Sequence, residues 1–203
     1  NIAVEQARGK YICLVNPDVI VGEKVFDNCF AFFKRSEKEV YAERPPAERA
    51  GSRSTKANSK TGFLGIRLID GKGNFLPESK RRIPRLIGVL KKFLGFSGGY
   101  YDQRLADDED GATEILVGAF LWGKRKVYDD LGGLDERYFM YGEDIDISYT
   151  ALKNDFQNYY LGSQTAIHFK GESTVKDAKY LERFYGAMYL FYEKHYPKGK
   201  WFS

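Results

Sequence analysis

Lys10-Tyr11-Ile12-Cys13-Leu14-Val15-Asn16-Pro17-Asp18 is the stretch whose reading decides the fold. Tyr11 to Val15 form an unbroken apolar run without the alternation of a half-exposed strand, and this fits a strand buried on both faces. Pro17 ends it, because proline has no N–H to give to a ladder. Downstream, Val25, Phe26, Cys29, Phe30 and Phe33 recur at helical spacing and predict a helix over 23–36. Upstream, Asn1-Ile2-Ala3-Val4-Glu5-Gln6-Ala7 reads as helix already under way, stopped by Gly9. A helix, a buried strand and a helix in succession are the grammar of an α/β protein.

The remainder follows that grammar. Phe63 to Ile69 alternate as a strand, Asp70 to Asn74 make a turn, and Phe75-Leu76 begin a return. A helix is expected after Pro84, through Leu86, Val89, Leu90 and Phe93. Thr113 to Trp122 are strand-like, broken by Gly118-Ala119, and a short helix over 124–131 stops at Gly132-Gly133. After Gly142 a further helix runs to Asn154 with Ile145, Tyr149 and Leu152 facing inward, followed by short strands at Tyr159–Leu161 and Ala166–His168. An aromatic helix over 177–196 closes the pattern. Two stretches, 41–61 and 97–112, are poor in large apolar side chains and are expected to be mobile loops.

The 203 residues, 43% of them hydrophobic, suit one globular domain with a core of its own. A net charge of +4 is small beside 30% charged residues. The basic runs Lys80-Arg81-Arg82 and Lys91-Lys92 are short, match no nucleic-acid motif, and read as solvated faces, so nucleic acid is not an expected partner. Cys13 and Cys29 have no metal-ligand spacing and are expected to be free, buried thiols of a reducing compartment. No apolar run approaches the ~20 residues of a membrane span. The terminal helix carries Phe184, Tyr185, Met188, Tyr189, Phe191 and Tyr192, with Lys194, Lys198 and Lys200 at its end. It suits either a helix packed on the domain or one lying at a lipid surface.

Three polar points stand out. Asp18 lies just past the C-terminal end of a buried strand, where α/β proteins place ligand sites, and a carboxylate there can help hold a divalent cation. Asn16-Pro17-Asp18 is equally a capped turn. Glu143, Asp144 and Asp146 crowd the start of a helix, where acids complement the helix dipole. Crowding also makes carboxylates repel, so one of them should hold its proton more tightly, a property suited to a general base. His168, one of two histidines, ends a short strand and reads as structural or as a ligand.

Taken in order, these points resemble glycosyltransferase family 2, of the GT-A fold, in its rhamnosyltransferase-like subgroup that builds bacterial surface polysaccharides. The resemblance is carried by Ala7-Arg8-Gly9-Lys10-Tyr11 through Asn16-Pro17-Asp18-Val19, by Val117-Gly118-Ala119-Phe120 with Gly132-Gly133-Leu134-Asp135 through Gly142-Glu143-Asp144-Ile145-Asp146, and by Ala166-Ile167-His168-Phe169-Lys170-Gly171-Glu172-Ser173. It implies an α/β, GT-A-like domain over 1–203 without the family's first βαβ unit, which holds the nucleotide base and ribose. It implies inverting transfer of a sugar from a nucleotide-diphosphate donor to a saccharide or lipid-linked acceptor, with Mg²⁺ or Mn²⁺ as cofactor. Asp18 matches the metal-binding acid, with Asn16 standing where many members have Asp, and His168 matches a histidine that completes the metal site. Asp144 matches the acid that takes the acceptor's proton. Gly118, Ala119, Asn16, Glu143 and Asp146 are implied to contact donor or acceptor, or in Asp146's case to hold its helix. The implied place of action is the cytoplasm, at the inner face of a membrane. A non-catalytic saccharide- or partner-binding fragment and a metal-dependent phosphohydrolase are the rival readings.

Overall fold

The computed structural model describes residues 1–42, 60–84, 100–169 and 178–196. Among them the elements run α1 (Ile2–Gln6), β1 (Tyr11–Val15), β2 (Val19–Val21), α2 (Val25–Ala42), β3 (Lys60–Ile69), a 3₁₀ turn (Pro77–Ser79), β4 (Lys80–Arg81), β5 (Gly111–Thr113), β6 (Ile115–Leu116), β7 (Phe120–Lys124), α3 (Arg125–Asp130), α4 (Glu143–Lys153), β8 (Phe156–His168) and α5 (Ala178–His195). The main sheet follows the order β1-β7-β3-β8-β2, with β5 added beside β8, and β4 pairs with β6 in a separate ribbon. β3 and β8 are parallel, and the other main-sheet pairs are antiparallel. The α/β expectation holds, as a mixed sheet.

Alternation along the central strands builds the layers. Phe63 and Leu121 point to one face, where they meet Val4, Val127, Ile147 and Ala151 from the helices of that side. Leu64, Ile66, Leu68, Phe120 and Trp122 point to the other and meet Val25, Cys29 and Phe33 of α2. Phe33 packs edge-on to Trp122 at a ring separation of 6.2 Å, and Phe63 to Tyr128 at 4.9 Å. α5 forms an outer layer: its Met188, Phe191 and Tyr192 bury against Ile115 and Ile145. α4 is therefore covered on two sides, which explains why its buried set reaches beyond Ile145 to Asp146, Ile147, Ser148 and Ala151.

Several expectations change. β1 is a marginal strand, paired with β7 and no other described strand, and only its Ile12 is fully buried. The strands expected at 159–161 and 166–168 are one strand, β8; the register with β3 jumps from Ile66↔Leu161 to Arg67↔Thr165, so residues 162–164 form a bulge. Lys80 and Arg81 are not a solvated face but are 3% and 7% exposed. Lys80 Nζ donates to the carbonyls of Asp102 and Leu105 at 2.9 and 2.7 Å. Within 100–112, Tyr100 and Asp102 are buried and the Tyr160 hydroxyl donates to Asp107 O at 2.5 Å, while 103–104 and 106–110 are exposed. The helix after Pro84, residues 43–59 and 97–99, Lys91-Lys92, Lys170 to Ser173, Lys198 and Lys200 lie outside the described residues.

Cys13 and Cys29 are free, and burial pushes both thiols up to about 12. Among the described residues no helix is long and apolar enough to cross a membrane. α5 favours the packed reading: Ala187, Met188, Phe191, Tyr192 and His195 are buried, and Lys194 is held by Asp135 and Asp146 at 2.9 and 2.8 Å.

Candidate active site

Two turns meet where β1 ends and β7 begins. The antiparallel ladder closes with Val15 opposite Phe120, and the Asn16 N–H donates to Ala119 O at 3.0 Å. Val19 N–H returns to Asn16 O at 3.1 Å, which folds Asn16-Pro17-Asp18 into a tight turn and sends β2 along β8. The β2–β8 register then sets Val19 opposite His168, and Phe169 N–H donates to Asp18 O at 3.0 Å. Asp18 Oδ2 consequently lies 3.4 Å from His168 Nε2, although the two are far apart in sequence. His168 is buried, while the Asp18 side chain is 38% exposed.

The acids approach from the other side. Gly142 opens α4 at φ +87°, a left-handed conformation that glycine adopts without strain, and an added Cβ would meet Ala187 and Tyr138 at 3.0–3.1 Å. Asp144 then accepts three hydrogen bonds: Oδ2 from Arg81 Nη2 at 2.7 Å and from Gly118 N–H at 2.9 Å, and Oδ1 from Ile145 N–H at 2.7 Å. Gly118 is small for a reason, since a Cβ there would sit 3.3 Å from Asp144 Cβ. Glu143 is the acid whose proton is held more tightly. Burial raises its carboxyl above the ordinary glutamate value, the Asp144 charge adds to this, and Oε2 is buried without a partner among the described residues.

Asn16, Gly118, Glu143 and Asp144 thus surround one cleft of about 340 Å³, floored by Cys13 and Leu14 of β1. Asp18 and His168 form a pair just beyond Asn16. Ala119 is buried behind the cleft and takes part through its carbonyl. Asp146 does not line the cleft. Its carboxylate accepts from His195 Nε2 at 2.7 Å, Lys194 Nζ at 2.8 Å and the Tyr138 hydroxyl at 3.3 Å, and so it fastens α5 to α4. Of the two implied uses of Asp146, holding the helix is the one its contacts match. Sequence reasoning missed Arg81 and His195. No local signal marks either, because each acts on a residue far along the chain.

A divalent cation fits the Asp18–His168 pair in part. The two donor atoms are close enough to share one ion, yet among the described residues no group of three or more His, Cys, Asp or Glu could hold a metal. Such a site suits a hard cation that takes most of its oxygen ligands from phosphate and water. His168 Nδ1 is buried without a partner among the described residues.

This mixed sheet with its flanking helices is the GT-A architecture of nucleotide-sugar glycosyltransferases. A crystal structure of GalNAc-T7 with UDP, GalNAc and Mn²⁺ superimposes with a TM-score of 0.59 over 97% of this chain and 34% of that one, at 13% identity, a likeness of fold. In sequence, the chain is 33% identical over 141 residues to the N-acetylglucosaminyl-diphospho-decaprenol L-rhamnosyltransferase of Mycobacterium tuberculosis, in strains CDC 1551 / Oshkosh and ATCC 25618 / H37Rv. That alignment covers 65% of this chain and 45% of the relative, so the chain spans less than half the length of the curated relatives it matches. No protein-family model matches the chain. The likeness bears out the resemblance to rhamnosyltransferase-like members of glycosyltransferase family 2.

Proposed function

We propose that this chain carries the acceptor-side and cation-binding part of an inverting glycosyltransferase that moves a deoxyhexose from a nucleotide-diphosphate donor to a lipid-linked saccharide. The observation that carries this reading is the meeting of Asn16, Gly118, Glu143 and Asp144 around one cleft, together with the pairing of His168 with Asp18, two residues on from Asn16. The sugar and acceptor classes follow the relative's name, which specifies L-rhamnose and a diphospho-decaprenol-linked N-acetylglucosamine. A lipid-linked acceptor would bring the enzyme to the inner face of the membrane.

The chemistry needs few protein groups. An acceptor hydroxyl oxygen bonds to the sugar's anomeric carbon as that carbon's bond to the diphosphate oxygen breaks, and the hydroxyl proton passes to Asp144. The carboxylate is oriented for this task by the Arg81 guanidinium and the Gly118 N–H. Glu143, protonated more readily than an ordinary glutamate, lines the cleft and can donate a hydrogen bond to a sugar oxygen there. Gly118 leaves room for substrate backbone-close to the base. Asp18 and His168 would hold Mg²⁺ or Mn²⁺, which offsets charge on a departing diphosphate when bound.

Incubating the full-length protein with a panel of nucleotide-diphospho sugars, with and without polyprenyl-diphosphate saccharides, tests this reading. Acceptor-dependent release of nucleotide diphosphate, with inverted anomeric configuration in the product, is expected. Release that ignores acceptor would point to a phosphohydrolase and contradict the proposal.

A further inference from the structure

Arg81 has a strange position for a charged residue. It lies on a two-residue strand, β4, opposite Ile115 of β6, with only 7% of its surface exposed. Its Nη2 is shared between Leu116 O and Asp144 Oδ2, both at 2.7 Å, while Nε is buried without a partner among the described residues. Stability alone explains this poorly, since removing both charges from water costs about as much as their attraction returns. Burial opposes the charge, but Asp144 and Tyr100 together outweigh it and make the guanidinium still harder to deprotonate.

Counting acceptor sites on Asp144 gives Arg81 a job. A carboxylate has about four lone-pair directions. Arg81 and Gly118 N–H take those of Oδ2, and Ile145 N–H takes one of Oδ1. Among the described residues one remains, on Oδ1. We propose that Arg81 is a positioning residue that clamps Asp144 through Oδ2, so that Oδ1 is the oxygen that receives the acceptor's proton. This rests on Asp144 being the base, as proposed above. An arginine suits the task better than a lysine: it stays charged at all working pH values and never competes for the proton, and its rigid planar guanidinium fixes the direction of the two Nη2 N–H groups that reach the strand carbonyl and the carboxylate.

The test is a double-mutant cycle in the full-length enzyme, with kcat, donor and acceptor KM, and melting temperature measured for wild type, Arg81→Met, Asp144→Asn and the pair. Arg81→Met should lower kcat by about ten- to a hundredfold, as misplacement of a catalytic group does. Donor KM should stay within about twofold, and adding Arg81→Met to Asp144→Asn should cost under about threefold more. An equal kcat loss in both backgrounds means that Arg81 acts on the fold and not through Asp144, which overturns the proposal. Because methionine removes a buried charge, Arg81→Lys is the companion variant. It should fold with nearly the wild-type melting temperature and still lose about tenfold or more in kcat; wild-type turnover in Arg81→Lys also overturns the proposal. Near-normal turnover in Asp144→Asn alone marks a different failure, that of the base assignment, and removes the proposal with it.

Discussion

Replacing Asp146 by asparagine tests how α5 is held against the helix that carries the candidate acids. Asp146 is 2% exposed, and its carboxylate is shared by His195 Nε2 at 2.7 Å, Lys194 Nζ at 2.8 Å and the Tyr138 hydroxyl at 3.3 Å. Lys194 also reaches Asp135, which Arg137 grips at 2.7 Å. Asparagine keeps the size but leaves Lys194 and His195 facing a neutral amide. Breaking one partner of a buried pair costs roughly 3–5 kcal/mol. Lys194 is partly exposed, so solvent screening places the loss at the lower end, about 3 kcal/mol. For a chain of this size each kcal/mol moves Tm by roughly 2–4 °C, giving a drop of about 6–12 °C at pH 7 by circular dichroism. Burial works to raise the Asp146 carboxyl, but hydrogen bonds from His195 and Lys194 outweigh it and hold the group below its ordinary 3.8. A depressed folded pKa contributes stability that is present above the unfolded value and lost as pH falls through the folded one. The gap between wild type and Asp146→Asn should therefore be full at pH 7 and shrink only below pH 3.8. Equal melting at pH 7, or a gap of the same size at pH 7 and at pH 3, would refute this account of α5.

Two further outcomes are expected. Asp18→Ala and His168→Ala should each raise the Mn²⁺ concentration for half-maximal binding of nucleotide diphosphate, read by calorimetry, by about tenfold, while leaving α4 and its acids intact; unchanged cation dependence in both would make the pair a turn bracket only. Gly118→Ala places a Cβ 3.3 Å from Asp144 Cβ and should lower turnover by roughly three- to tenfold with Tm nearly unchanged, and wild-type turnover would show that the base tolerates the push.

What the sequence made legible was local. β1, α2, α3 and α4 stand near their expected places because period and stop signals lie within each segment, as at Gly142 before α4. The approach of Asp18 to His168 was also foreseeable, since the resemblance assigns both to one site and the β2–β8 register brings them to 3.4 Å. The misses share a cause, dependence on distant partners. Lys80-Arg81-Arg82 reads as surface until β4 pairs with β6 and buries its first two residues. Asp146 reads as one more helix-start acid until α5 brings His195 and Lys194 to it. β8 reads as two strands because bulge residues 162–164 break its pattern without breaking its pairing with β3.

The central claim, that Asp144 takes the proton of an acceptor hydroxyl in sugar transfer, is most directly tested by Asp144→Asn in the full-length protein. The change keeps the size of the side chain and removes its basicity. Donor-sugar binding, followed by calorimetry, should persist within a few-fold, and acceptor-dependent kcat should fall by the ~10²–10⁴ that general-base loss costs. Turnover within a few-fold of wild type would contradict the account.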